Sequence, residues 1–279
     1  MIARLRDWRR VGIIATTLVA ATSGTAHGQW LNQPTPGVPR NSDGSPNLSA
    51  PAPRTADGKP DLSGVWQSVR DPAGSAGGIE GIVAPRYMID LTVDMKDRNS
   101  LLRPDAAAVY KARAANELRD NPSIRCLPLG VPRLNSYTHP FKIVQTPGLI
   151  VILYESQTTF RQIFMDGRKL PEDAQPAWYG YSIGRWEGDT LVVESSGFND
   201  KTWLDGSGHP HSESMGLTER FTRRDLGRLD VEITIDDAVT YMRPLTYMQT
   251  QSLLPDGELI EYICNENHEA NLPHVKGKP

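Results

Sequence analysis

The chain has 279 residues, 30 Lys+Arg against 33 Asp+Glu, a formal net charge of −3 and two cysteines. That length suits one ordinary domain with appendages. A balanced charge without a basic run argues against nucleic acid as a partner, and two thiols exclude a disulfide-dense scaffold or a zinc or iron–sulfur site built on cysteine.

Residues 1–28 have the order of a cleavable export signal: Arg4, Arg6, Arg9 and Arg10, then an apolar stretch over 11–21, then Thr25-Ala26-His27-Gly28. The apolar part is too short to span a bilayer as a helix. Cleavage after Gly28 or after Ala26 places small residues where they are needed, and the general route fits better than twin-arginine export because Trp8 and Val11-Gly12 flank Arg9-Arg10 poorly. The expected location is therefore periplasmic or secreted, with no membrane span. In an oxidising compartment Cys126 and Cys264 are a natural disulfide pair.

Residues 29–60 are rich in Pro, Gly, Ser, Asn and Asp and read as an extended or disordered lead-in. Within them Pro39-Arg40-x-x-Asp43-Gly44-x-Pro46-x-Leu48-Ser49 recurs as Pro53-Arg54-x-x-Asp57-Gly58-x-Pro60-x-Leu62-Ser63. Two short copies cannot make a solenoid; the second reads as the turn that launches the first strand.

Residues 61–279 form the expected single domain. One helix is predicted over 105–118, behind Pro104 and stopped by Asp120-Asn121-Pro122; its thin apolar face makes it a flank or lid. Strands are predicted over 65–69, 141–146, 149–155, 158–165, 180–186, 190–195, 217–223, 229–235, 245–253 and 259–264, joined by turns such as Pro147-Gly148 and Glu187-Gly188-Asp189. Leu229, Val231, Ile233 and Ile235 alternate with Asp230, Glu232 and Thr234, the pattern of a sheet with one wet face. With no helices for parallel crossovers, an antiparallel meander is expected, closing into a calycin-like β-barrel or, alternatively, packing as a two-sheet β-sandwich.

Several stretches look like a family of exported bacterial proteins: 53–66 (PRTADGKPDLSGVW), 144–155 (VQTPGLIVILYE), 160–171 (FRQIFMDGRKLP), 180–195 (GYSIGRWEGDTLVVES), 198–205 (FNDKTWLD), 208–213 (GHPHSE), 218–224 (TERFTRR) and 261–267 (EYICNEN). The resemblance covers nearly the whole chain after the signal. It implies secretion and a β-rich domain, and it carries over no activity, ligand or catalytic residue.

The densest chemistry is in residues 203–213, a long link between strands and so a natural lid or binding loop. His211 is the candidate acid or base, Asp205 the group that orients an imidazole, and His209 an assistant. His209, His211 and Glu213 (or Asp205) form a weaker alternative as zinc ligands, and a polar turn-capping loop is the bland one. Strand parity gives a second set. Arg161 shares a face with Ile163, Glu219 with Leu217 and Phe221, and Glu261 with Leu259 and Ile263; if these faces point inward they form an ion pair or a polar patch in a ligand cavity. Trp203 and Tyr181 are further ligand-binding candidates, with Trp178, Tyr179 and Trp186 as aromatic wall or core. His139, Asn265, Glu266 and His268 read as turn or rim residues. Nucleophile-elbow, phosphate-loop and dinucleotide motifs are missing, so no cofactor is expected. The expected function is binding of a small, partly apolar molecule without a protein partner; the alternative is a cofactor-independent hydrolase, lyase or isomerase working through the histidine loop.

Overall fold

The computed structural model describes residues 34–69 and 84–264; the expected signal peptide lies outside them. Nine strands follow one another round a closed barrel: β1 (Gly64–Ser68), β2 (Phe141–Gln145), β3 (Leu149–Tyr154), β4 (Thr159–Phe164), β5 (Tyr181–Glu187), β6 (Thr190–Ser196), β7 (Gly216–Arg223), β8 (Arg228–Asp236) and β9 (Leu245–Leu253). β1 pairs with both β2 and β9, which closes the ring and rules out the sandwich. Alternation builds the core: Leu229, Val231, Ile233 and Ile235 of β8 point inward and are buried, each contributing about 1.5–3 kcal/mol.

Two strand expectations are corrected. The meander is not wholly antiparallel, because β4 and β5 run parallel where Ile163 faces Ser182 and Phe164 faces Ile183. The link over 165–180 is long enough to return the chain to the starting end of the barrel without a helix. Residues 259–264 are not a strand: both edges of β9 are already taken, by β8 and β1, so closure leaves no ladder for a tenth.

The lead-in is corrected too. From residue 34 the chain folds into two turns that repeat each other as their sequences do. In each, an arginine bonds the carbonyl of the glycine four residues on, Arg40 to Gly44 at 3.1 Å and Arg54 to Gly58 at 2.7 Å. The same guanidinium then grips a carboxylate on a barrel turn with two bonds, Arg40 to Asp256 at 2.6 and 2.9 Å and Arg54 to Asp189 at 2.6 and 3.0 Å. Gly44 and Gly58 have φ of +84° and +79°, which explains the glycine in each copy.

The helices lie outside the strand ring. α1 spans Arg86–Ile89 and α2 spans Pro104–Ala115, shorter than expected because Glu117 and Leu118 turn left-handed. α2 has no buried residue, in keeping with a flank. Cys126 and Cys264 form a disulfide with a Cα–Cα distance of 5.7 Å.

The mouth of the barrel is filled by its own chain. Residues 129–136 are all buried, ending in a 3-10 turn over Arg133–Ser136 that acts as a plug. Gly130, at φ +73°, lies so close to Thr202 that a Cβ would stand 2.7 Å from the threonine hydroxyl. The plug is thereby seated against the start of the histidine loop.

Candidate functional site

Two polar clusters lie next to the plug. The first is inside the barrel. Arg161 and Glu219 are 2% and 0% exposed and form an ion pair of 2.5 Å, so the strand faces carrying Ile163 and Phe221 do point inward. Arg161 also donates from Nε to Ser182 Oγ at 3.1 Å and from Nη2 to Ser195 Oγ at 2.8 Å. Asn135 of the plug donates to Glu219 Oε1 at 2.7 Å and accepts from the Tyr154 hydroxyl at 2.7 Å. Burial alone would lower the Arg161 pKa, but the Glu219 charge outweighs it and holds it above the ordinary value. Among the described residues Arg161 Nη1 and Gln251 Oε1 are buried without a hydrogen-bond partner. The pair is locked among serines and the plug, an arrangement that fixes the plug's position and realises the ion-pair form of the two alternatives that strand parity offered.

Glu261 does not join them. It is exposed on the segment after β9 and belongs to no strand face, because that segment is no strand. Tyr181 is also on the outside: it stacks on Phe164 at 5.1 Å and accepts from Arg168 at 2.8 Å. Trp203 is buried under the Arg113 guanidinium, 4.7 Å from the ring centre. Trp178, Tyr179 and Trp186 are half-buried.

The second cluster is the histidine loop, in which the structure shows which imidazole Asp205 holds. Asp205, fully buried, orients His209 and not His211: the Nδ1–Oδ2 distance is 2.6 Å. Its carboxylate also accepts from Leu91 N at 2.9 Å, Ser207 Oγ and Gly208 N at 3.0 Å, and His209 N at 3.1 Å. Burial would raise the Asp205 pKa; the hydrogen bond and charge of His209 outweigh it and hold it below the ordinary carboxylate value. The His209 ring rests on Tyr110 of α2, with centroids 4.5 Å apart. His211 faces elsewhere. Its Nε2 is 2.6 Å from Thr202 Oγ1 and its Nδ1 3.2 Å from the Ser212 carbonyl, which can only accept and so requires the proton on Nδ1. Burial keeps its pKa below the ordinary value. Both ring nitrogens of His211 are thus engaged by protein groups.

The zinc alternative through His209, His211 and Glu213 does not assemble. Glu213 is exposed, and the grouping among the described residues that brings three donor atoms within 4.8 Å is Asp90, Asp205 and His209. These oxygens already accept protein hydrogen bonds, Asp90 Oδ1 from Thr92 at 2.6 and 2.8 Å, and the group carries no metal reading. His139 sits between the Tyr137 and Tyr262 rings, at 5.3 and 4.6 Å; Asn265, Glu266 and His268 lie outside the described residues.

One group was missed from sequence. Arg133 of the plug is 4% exposed, and nothing in Val-Pro-Arg-Leu-Asn-Ser marks a buried guanidinium. Two surface grooves were missed as well. One, of about 540 Å³, lies between the first turn loop and β1, β2 and β9, with walls of Pro36, Val38, Pro51, Pro53, Val65 and Leu254 and with Lys142 and Arg223 at its side. The other, of about 530 Å³, lies near the second turn loop beside Met165, Gly184 and Trp186. Neither is lined by Arg161, His209 or His211. Among the described residues no helix is long and apolar enough to cross a membrane. Compared with family models, with curated proteins and with solved structures, the chain matches none.

Proposed function

We propose that the protein is an exported β-barrel that binds a small, partly apolar molecule, and that the ligand lies in the groove beside the first turn loop. The observation carrying this reading is the groove itself: about 540 Å³ of mainly proline and aliphatic wall with Lys142 and Arg223 to one side, within the usual size range of small-molecule sites. Arg223 stacks over Trp66, 4.8 Å from its ring centre. Burial lowers its pKa to about 10, so it is charged at neutral pH; backbone carbonyls cap it, and Lys142 is paired with Glu258 on the same wall, so the groove suits a mainly apolar ligand with a polar end. Thermal shift of the chain lacking residues 1–28, screened against sugars, lipids, terpenoids and aromatic acids, should find stabilising compounds in one apolar class. The Val38→Trp and Leu254→Trp variants, which fill the groove, should lose the response. A response surviving both substitutions, or none from any class, would reject the groove.

A second reading rests on the buried Asp205–His209 pair, a carboxylate fixing an imidazole as acid–base catalysis requires. In its hydrolytic form, activity on activated esters should vanish in His209→Gln while circular dichroism is unchanged.

A further inference from the structure

The three most buried arginines are treated differently by the fold. Arg161 has Glu219 as counter-ion. Arg223 is capped by the carbonyls of Asp61, Asp225 and Leu226. Arg133 has neither: among the described residues it makes no ion pair, and its one hydrogen bond runs from Nη1 to Asn121 Oδ1 at 3.2 Å. Among those residues its Nε is buried without a partner, and its Nη2 makes no hydrogen bond. Nε and Nη2 form one edge of the guanidinium, the edge that takes a carboxylate through two parallel bonds.

Among the described residues no charged group fills that edge. Asp205 attracts Arg133 electrostatically, but its two oxygens are occupied by His209 and by four backbone and hydroxyl donors. Burial depresses the Arg133 pKa, the expected sign for a cation without a counter-ion. A buried charge of this kind is costly unless paired, and buried donors without partners mark places where a structure completes itself with a further molecule.

We propose that the Nε–Nη2 edge of Arg133 is a carboxylate-binding position, taking a small organic acid within the electrostatic reach of Asp205. It is independent of the groove reading, since the groove shares no residue with it, and it would supply the anchoring point of the substrate if the second reading holds.

The test uses the whole chain after signal removal, with [15N]arginine labelling, benzoate and octanoate as probes, and benzamide, octanamide and sulfate as controls. Benzoate or octanoate should move one slowly exchanging arginine Nε resonance saturably, and the controls should leave it in place. Affinity should fall about tenfold or more in Arg133→Gln, fall less in Arg133→Lys, which keeps the charge but not the fork, and hold in Arg125→Gln, an exposed control. If Arg133→Gln does not fold, the wild-type resonance decides alone. No saturable shift, an equal response to sulfate or the amides, or unchanged affinity in folded Arg133→Gln would each overturn the proposal. The groove-filling Val38→Trp should leave this response intact, so failure here and failure of the groove are read separately.

Discussion

Asn135 of the plug and Glu219 of β7 meet at 2.7 Å in the middle of the barrel, and the same asparagine accepts from Tyr154. One amide thus links two strands and the inserted chain. Asn135→Ala leaves Glu219 Oε1 and the Tyr154 hydroxyl without that partner and should cost about 1–3 kcal/mol in urea unfolding.

Glu219→Leu should cost more, about 3–5 kcal/mol, because it leaves the Arg161 charge buried alone. The double variant Arg161→Met/Glu219→Leu removes both charges and should be more stable than Glu219→Leu. A simple sum of the two single losses would show that the pair acts as two independent groups.

His211→Ala should lower stability by about 1–3 kcal/mol, since the ring is buried and the substitution leaves Thr202 Oγ1 and the Ser212 carbonyl short of a partner. His211 and His139 also set a pH dependence. Burial holds both pKa values below the ordinary 6.5, so below that pH the unfolded chain takes up protons that the folded one refuses. Stability is complete above about pH 6.5 and falls as pH drops toward the folded values. Unfolding free energies between pH 7 and 5 should therefore decline, with a smaller slope in His211→Gln.

Reduction of Cys126–Cys264, or replacement of both by serine, opens a loop of 138 positions. Chain entropy sets the loss at up to about 5 kcal/mol, of which about 2–4 is usual. Melting with and without reductant measures it, and alkylation of the folded, unreduced protein should find no thiol.

Gly58→Ala should cost about 1 kcal/mol although nothing lies within 4 Å of the added methyl, because the strain is in the backbone at φ +79°. Removing the exposed Arg54 clasp to Asp189 should change the melting temperature less than this substitution does, and its effect should fade with salt.

The strands were legible because alternation and turn residues agree, as in 229–235, and the same alternation put Arg161 on a face with Ile163 and Glu219 on a face with Phe221; that these faces point inward came from the structure. The disulfide was legible from compartment and count. The plug was not: residues 130–136 have neither helical nor strand period, and their burial depends on partners from β3, β7 and β9 that are distant in sequence. For the same reason Arg133 carried no signal. The tenth strand was mistaken because local pattern can propose a strand but only ring closure decides whether an edge remains to receive it. Which histidine Asp205 would orient was hidden too, since His209 and His211 are equivalent in composition and separated only by the path of the loop.

The paired turns before β1 also order events during folding. Arg40 is near the beginning of the described chain, yet the carboxylate it grips, Asp256, stands 216 positions later, beyond the last strand. The clasp can close only once residue 256 is in place, so the first turn to be made is among the last to be fully docked. Loop closure over such a distance is slow compared with pairing neighbouring strands, and the arm serves as a latch that records completion: its protection from protease reports that β9 and the turn after it are in place.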